Sequence, residues 1–274
     1  MILGDHLTTA IDELHLAERP VMLHASLRSF GTAVDGGADA LLDALLERGC
    51  TVMTPAFTEP QFGLSAPPDM RPARNGLDYA APSERSTCQE GLPYRVDCGL
   101  INPRLGVLPA VLIRRDGAVR GRHPLNSFAA IGPQAAELID AQSPDDVYGP
   151  IRELADRDGR ILLVGVGLDR MTALHLAEQR SGRRLFRRWA RDEDGDIRTV
   201  EVGSCSGGFT QLEPLLGPLA QSAVVGASRW RAYPARQVLA AATAAIAARQ
   251  GITRCPDAEC VLCRHAIAGG PVVS

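Results

Sequence analysis

The sequence predicts an α/β fold with a largely parallel central sheet, and three observations carry that expectation. "PVMLHAS" (Pro20–Ser26), the leucine-rich "GGADALLDALLERG" (Gly36–Gly49) and "TVMTPAF" (Thr51–Phe57) read in order as strand, helix and strand. Brief connections between them describe a βαβ unit, whose strands run parallel. "RILLVGVG" (Arg160–Gly167) is the clearest strand in the chain, and it leads directly into a helical pattern. At 274 residues the chain can bury one large core. We expect a single domain over residues 1–274, with a cysteine-bearing C-terminal feature (255–265) packed back on it.

Each element has its own signal. A helical pattern at the N-terminus precedes the first strand, and Gly49 stops the leucine-rich helix. From about Thr58 to Arg104 the chain is rich in Pro, Gly and Ser and loses periodicity. A loop of that length inside a compact domain is uncommon unless it is functional. "LGVLPAVLIRR" (Leu105–Arg115) then reads as a helix, "SFAAIG" (Ser127–Gly132) as a strand and "PQAAELIDA" (Pro133–Ala141) as a helix. "LFRRWARDEDGDIRTVEV" (Leu185–Val202) places two alternating runs around Asp194-Gly195, a hairpin signature. "PARQVLAAATAAIAARQG" (Pro234–Gly251) is an alanine-rich helix stopped by glycine.

Composition narrows the function. A net charge of -3 and 4% aromatic residues argue against nucleic-acid binding, which needs concentrated positive charge and aromatic stacking faces. The N-terminus lacks the basic start and apolar core of a signal peptide, and no run approaches the length that spans a bilayer. A cytoplasmic location is therefore expected, without a membrane partner. There the seven cysteines (50, 88, 98, 205, 255, 260, 263) are free thiols or metal ligands rather than a disulfide frame.

The stretch "GVGLDRMTALHLAEQR" (Gly165–Arg180) carries the first candidate. Ligands of open α/β sheets gather beyond the carboxyl ends of the strands, so His175 is placed to face one. Gly165 and Gly167 permit close backbone approach, and Asp169 or Thr172 can cap the helix. Glu178 follows His175 by three residues on the same helical face. A packed, hydrogen-bonded core histidine fits the same pattern.

Three segments together resemble the aminoglycoside 3-N-acetyltransferase family: "LHASLRSFG" (Leu23–Gly31), "RHPLNSFAAIGPQA" (Arg122–Ala135) and "LLVGVGLDRMTALHLAE" (Leu162–Glu178). Their order and separation are more specific than any one of them. The resemblance implies a three-layer α/β/α sandwich, distinct from the histone-acetyltransferase type. It also implies transfer of acetyl from acetyl-CoA to an amine, the 3-amino group of the 2-deoxystreptamine ring. It makes His175 the general base and puts an orienting acid on a later strand, for which Glu201 in "RTVEVGSC" is favoured over Glu178. Ser26, Leu27, Ser29 and Gly31 would line the pantetheine and pyrophosphate channel, with Thr172 near the thioester. His123, held extended by Pro124, would lie beside the cleft in contact with cofactor or substrate, or serve the backbone instead. The chemistry suits these residue types. A base that titrates near neutrality must take the amine proton, a carboxylate fixes the imidazole tautomer, and N–H donors stabilise the tetrahedral oxyanion.

"RCPDAECVLCRH" (Arg254–His265) brings Cys255, Cys260 and Cys263 together, with His265 two residues on. Zinc takes four such ligands, and Cys-x-x-Cys supplies two. Some members of the resembled family add a cysteine near the catalytic acid, and Cys205 matches it. A structural zinc site of Cys205, Cys260, Cys263 and Cys255 is expected, with His265 as the alternative fourth ligand.

A polycationic acceptor wants an acidic site. The candidates are Glu59, Asp69, Asp78, Glu84, Glu90 and Asp97 in the long loop, then Asp145, Asp146, Asp192, Glu193, Asp194 and Asp196. Arg71, Arg74, Arg85 and Arg95 in the same loop dilute that charge and leave room for a less cationic amine. Two other classes stay open: a zinc hydrolase using His24, His123 and His175, and a non-catalytic zinc-stabilised binder of CoA. Monomer and homodimer are both compatible with the sequence.

Overall fold

The structure is a computed structural model that describes residues 1–59, 62–79 and 91–272. Its elements run α1 (Gly4–Glu13), β1 (Pro20–Ala25), α2 (Gly37–Glu47), β2 (Thr51–Pro55), β3 (Gly63–Leu64), α3 (Val107–Leu112), β4 (Val119–Arg120) and β5 (Phe128–Ile131). Next come α4 (Ala135–Asp140), α5 (Gly149–Asp156), β6 (Arg160–Val164), α6 (Ala173–Arg180), β7 (Phe186–Arg191) and β8 (Ile197–Val202). The chain closes with α7 (Glu213–Leu216), β9 (Gln221–Val225), β10 (Ser228–Pro234), α8 (Ala235–Ala248) and α9 (Val261–Ile267).

The main sheet has the order β4-β5-β2-β1-β6-β10-β9. Only β2, β1 and β6 are mutually parallel, with Val21 opposite both Val52 and Arg160. The flanking strands β4, β5, β10 and β9 all pair antiparallel, so the expectation of a largely parallel sheet is corrected. Connection length gives the reason at one edge: β9 and β10 are separated by Gly226 and Ala227 alone, and a parallel neighbour needs a long crossover.

The parallel strands are apolar throughout because both their faces are buried. Met22, Met53, Ile161 and Leu163 enter one core with Leu138, Ile151, Leu174 and Leu239 from α4, α5, α6 and α8. Val21, Leu23, Val52, Leu162 and Val164 enter another with Leu7, Leu41 and Leu108 from α1, α2 and α3.

A second sheet, β3-β7-β8, contains the expected hairpin. Asp192 organises its turn by accepting from the N–H groups of Asp194 and Asp196 at 3.1 and 3.0 Å. The apolar face of this sheet, with Phe186, Val200 and Val202, packs on Phe62 and Tyr94 from the long loop and Ala266 from α9. That loop is therefore anchored without regular structure. Tyr94 Oη donates to the Gly121 carbonyl at 2.9 Å, and Asn75 exchanges hydrogen bonds with the Arg187 backbone at 2.6 and 2.9 Å. Among the described residues, no helix is long and apolar enough to cross a membrane.

Candidate active site

The carboxyl ends of β1, β2 and β6 open onto a cleft of about 820 Å³. Its walls include His24 to Arg28 at and beyond the end of β1, Thr54, Pro55 and Phe57 at and beyond the end of β2, and Gly165 and Val166 after β6. Gly165 has φ 63°, in the left-handed region, and a Cβ there would collide with Ser29. The chain can thus turn sharply out of β6 while the loop after β1 lies against it. A single 3-10 turn, Leu168–Arg170, precedes α6. Neither Asp169 nor Thr172 makes the expected capping hydrogen bond.

His175 lies in the first turns of α6 and lines the cleft. Its Nδ1 is 2.8 Å from Glu178 Oε2, and its Nε2 has no hydrogen bond among the described residues. Phe209 meets the ring edge-on at 4.8 Å, and Tyr148 lies parallel to it at 6.2 Å. Glu178, 3% exposed, also accepts from Ser204 Oγ at 2.8 Å and Thr253 Oγ1 at 3.2 Å, and it pairs with Arg183. Burial works against its charge, but the hydrogen bond and charge of His175, then Arg183 and Ser204, hold the carboxyl below its ordinary range.

The pairing of His175 with Glu201 is corrected by this geometry. Strand residues alternate in direction, and Val202 of β8 lines the cleft, so Glu201 turns the other way. Its carboxylate meets Arg187 Nη2 at 3.4 Å beside a separate pocket of about 370 Å³. Burial, against the pull of Arg187 and with Asp145 and Asp146 nearby, raises the Glu201 carboxyl. The nearer acid was legible as an i, i+3 neighbour on one helix face.

Of the two roles open to His123, cofactor or substrate contact and service to the backbone, the structure shows the second. It is fully buried, its Nε2 donates to the Glu201 carbonyl at 2.8 Å, and its Nδ1 accepts from Asn126 N–H at 2.8 Å. Burial, opposed by that backbone hydrogen bond, pushes it down to about 4 and keeps it neutral.

Ser26, Leu27 and Thr172 line the cleft, whereas Ser29 and Gly31 do not. Ser29 Oγ donates to the Ser26 carbonyl at 2.6 Å and meets Ser228 Oγ at 2.7 Å, so it shapes the turn from behind. Gly31 ends the 3-10 turn Leu27–Phe30 with φ 70°.

The cleft also presents Tyr148 and Asn126, which the sequence left unassigned, beside His24 of the hydrolase reading. Tyr148 Oη, Asn126 Oδ1 and His24 Nε2 are buried and, among the described residues, unpaired, and all three residues line it. Burial, with the Arg170 charge second, drives His24 down to about 3. Arg28, Arg104 and Arg170 line it as cations, Glu59 and Asp169 as carboxylates. Of the other acidic candidates, Asp97, Asp146 and Asp192 are engaged with Arg95, Arg152 and Arg198. Glu84 and Glu90, like Arg85 and Cys88, lie outside the described residues.

The sulfurs of Cys205, Cys255, Cys260 and Cys263 lie within 4.8 Å of one another, the one candidate metal cluster among the described residues. His24, His123 and His175 form none. His265 is used elsewhere, its Nδ1 accepting from Gly76 N–H at 3.0 Å. Four cysteines this close offer the donor set of a tetrahedral zinc site.

Fold and site together define an α/β protein with a carboxylate-held imidazole facing a cleft at the carboxyl end of its parallel strands. The chain belongs to the aminoglycoside 3-N-acetyltransferase family, whose model matches residues 22–247. It is 36% identical over 165 residues to aminoglycoside N(3)-acetyltransferase IX of Micromonospora chalcea, covering 58% of this chain and 54% of the relative. To aminoglycoside N(3)-acetyltransferase VIII of Streptomyces fradiae it is 33% identical over 199 residues, covering 64% and 65%. The chain thus spans little more than half to two thirds of these relatives. Among solved structures, the apoenzyme of aminoglycoside acetyltransferase AAC(3)-IVa superposes with TM-score 0.75 at 24% identity, covering 98% of this chain and 97% of that one. AAC(3)-Xa superposes with TM-score 0.70 at 26% identity, covering 89% and 92%.

Proposed function

We propose that the protein is an acetyl-CoA-dependent N-acetyltransferase acting on an aminoglycoside, at the 3-amino group of the 2-deoxystreptamine ring. Its architecture is read as a three-layer α/β/α sandwich unlike the histone-acetyltransferase type. The observation that carries the reading is His175, bound at Nδ1 by a buried carboxylate with Nε2 left open at the cleft. Nε2 takes a proton from the acceptor amine as nitrogen attacks the thioester carbonyl carbon. Glu178 keeps the other ring proton on Nδ1 and stabilises the imidazolium that forms. Collapse of the tetrahedral intermediate breaks the C–S bond, and the CoA thiolate leaves.

The cleft offers different chemistry to each substrate. Arg28, Arg104 and Arg170 supply cations for the phosphates of CoA, and Ser26, Leu27 and Thr172 border its pantetheine arm. Glu59 and Asp169 and the unpaired oxygens of Tyr148 and Asn126 can accept from an amine-rich partner. Solved relatives include a binary complex with CoASH and complexes with a gentamicin, apramycin and sisomicin. Three cleft arginines against two carboxylates favour, as a second reading, an acceptor less cationic than those drugs.

We assign the four cysteines to a structural zinc ion that ties residues 255–263 to the segment after β8. The same reading carries a cytoplasmic location with it, where acetyl-CoA is at hand and thiols stay reduced. The first test is thiol release from acetyl-CoA with apramycin, gentamicin and sisomicin beside simple mono- and diamines. Turnover on the drugs supports the main reading, and turnover on simple amines alone moves it to the second. CoA binding without any turnover overturns both.

A further inference from the structure

We propose that the four-cysteine cluster fixes the tautomer of His175 through two positioning residues, Ser204 and Thr253. The inference builds on the reading of His175 as the base. Ser204 is the residue before Cys205, and Thr253 lies two residues before Cys255. Their hydroxyls reach opposite oxygens of one carboxylate: Ser204 Oγ donates to Glu178 Oε2 at 2.8 Å, and Thr253 Oγ1 to Oε1 at 3.2 Å. Oε2 is the oxygen that holds His175 Nδ1 at 2.8 Å. The cluster and the imidazole are therefore joined by a continuous chain of hydrogen bonds and two short pieces of backbone.

The two pieces of chain have little freedom to slip. A Cβ on Gly208 would collide with the Thr253 carbonyl, and one on Gly207 would lie 3.1 Å from Cys255 Cβ. Gln211 reaches across to the Arg254 carbonyl. Arg183 donates to Thr253 Oγ1 at 2.8 Å and to Gln250 Oε1 at 2.9 Å, so the same segment anchors the Glu178 counter-ion. On the other side a Cβ on Gly203 would sit 2.9 Å from the His175 ring and collide with Tyr148 Oη. Any shift of Cys205 is passed within two residues to the ring itself.

A carboxylate held by one arginine alone can rotate to chelate it. Two further donors on different oxygens fix its plane and aim Oε2 at Nδ1. The charged and titratable groups facing His175 are Glu178 and, behind it, Arg183, with Tyr148 across from α5. None of them substitutes for the lost hydroxyls. Sulfur ligation at Cys205 and Cys255 thus sets the position of both donors, and outer partners of this kind typically govern activity by about 10–100-fold.

The test uses the zinc-loaded protein and ¹⁵N imidazole NMR, with the His175 signals assigned by their loss in His175→Ala. The wild type should show Nδ1 protonated and Nε2 bare. In the Ser204→Ala/Thr253→Val double variant, which leaves every sulfur in place, both nitrogens should move toward the averaged shifts of a free imidazole. kcat should fall at least about tenfold with KM for acetyl-CoA unchanged. Cys260→Ser should move the ring in the same direction. If that variant does not fold, Cys255→His keeps a four-ligand zinc site while displacing Thr253, and should shift the ring as well. Ring signals indifferent to the hydroxyl double variant, or to displacement of the cluster, overturn the proposal even in an active enzyme. A ring that responds in a protein without transferase activity supports the link and overturns the base reading instead.

Discussion

His175 and His123 are both buried, at 8% and 0% exposure, yet they are prepared for opposite tasks. His123 spends both nitrogens on backbone, accepting from Asn126 N–H and donating to the Glu201 carbonyl. Its ring acts as a fixed strut between the loop before β5 and the strand β8. His175 spends only Nδ1, on a carboxylate that itself has three further partners, and leaves Nε2 to the cleft. Burial alone therefore does not distinguish a structural histidine from a reactive one. The unspent nitrogen does, and the proposed role of His175 as base rests on it.

The largest expected effect tests that distinction directly. On the proposed reading His175→Ala removes the base, and it should lower kcat/KM for acetyl transfer by about 10²–10⁴-fold while CoA binding persists. His123→Asn keeps an acceptor for Asn126 and should leave kcat within about threefold, at a cost in stability of about 1–3 kcal/mol from the Glu201 carbonyl left unpaired. Comparable loss of turnover in both variants, measured on folded protein, would erase the contrast.

The two carboxylates give the next prediction. Glu178→Gln preserves shape but removes the charge that fixes Nδ1–H, and kcat should fall by about 10²-fold. It also strands the Arg183 guanidinium, 3% exposed, so a loss of about 3 kcal/mol in unfolding free energy should accompany it. The Glu201 carboxylate pairs, among the described residues, with Arg187 on the far side of β8, so Glu201→Gln should change kcat by less than about threefold. If the order of the two variants is reversed, Glu201 is the orienting acid after all.

Much of this contrast was legible in the chain itself. The parallel strands announced themselves because burial on both faces makes them continuously apolar, as in "RILLV". Of the flanking strands, β5 was legible in "SFAAIG" but β9 and β10 were not, because β10 alternates Arg229 and Arg231 with Trp230 and Ala232, and β9 exposes Val224 at the sheet edge. Helix α5 was hidden behind Gly149-Pro150, residues that read as a turn although proline suits a first helical turn. In the site, His175 follows from its place after a strand end. Cys205 joining the C-terminal cysteines follows from family pattern rather than spacing, since fifty residues separate it from Cys255. The direction of Glu201 depended on the register of β8, and a shift of one residue reverses the face of every side chain.

The smallest predicted effect reaches the same contrast through pH. His123 falls to about 4 and His24 to about 3, from an ordinary 6.5, chiefly because burial disfavours the charged ring. Below pH 6.5 the unfolded chain takes up these protons and the folded chain does not. Stability must therefore decline as pH drops from 6.5 toward 4, by up to about 1.4 kcal/mol per pH unit for each histidine. Glu178, held low, adds its own loss only in more acid solution, below the ordinary carboxylate range. Urea unfolding between pH 6.5 and 5 should thus be flatter in His123→Asn than in the wild type, by about one proton. An unchanged slope would mean that His123 takes its proton in the folded protein, which is incompatible with an Nδ1 that accepts from Asn126 N–H.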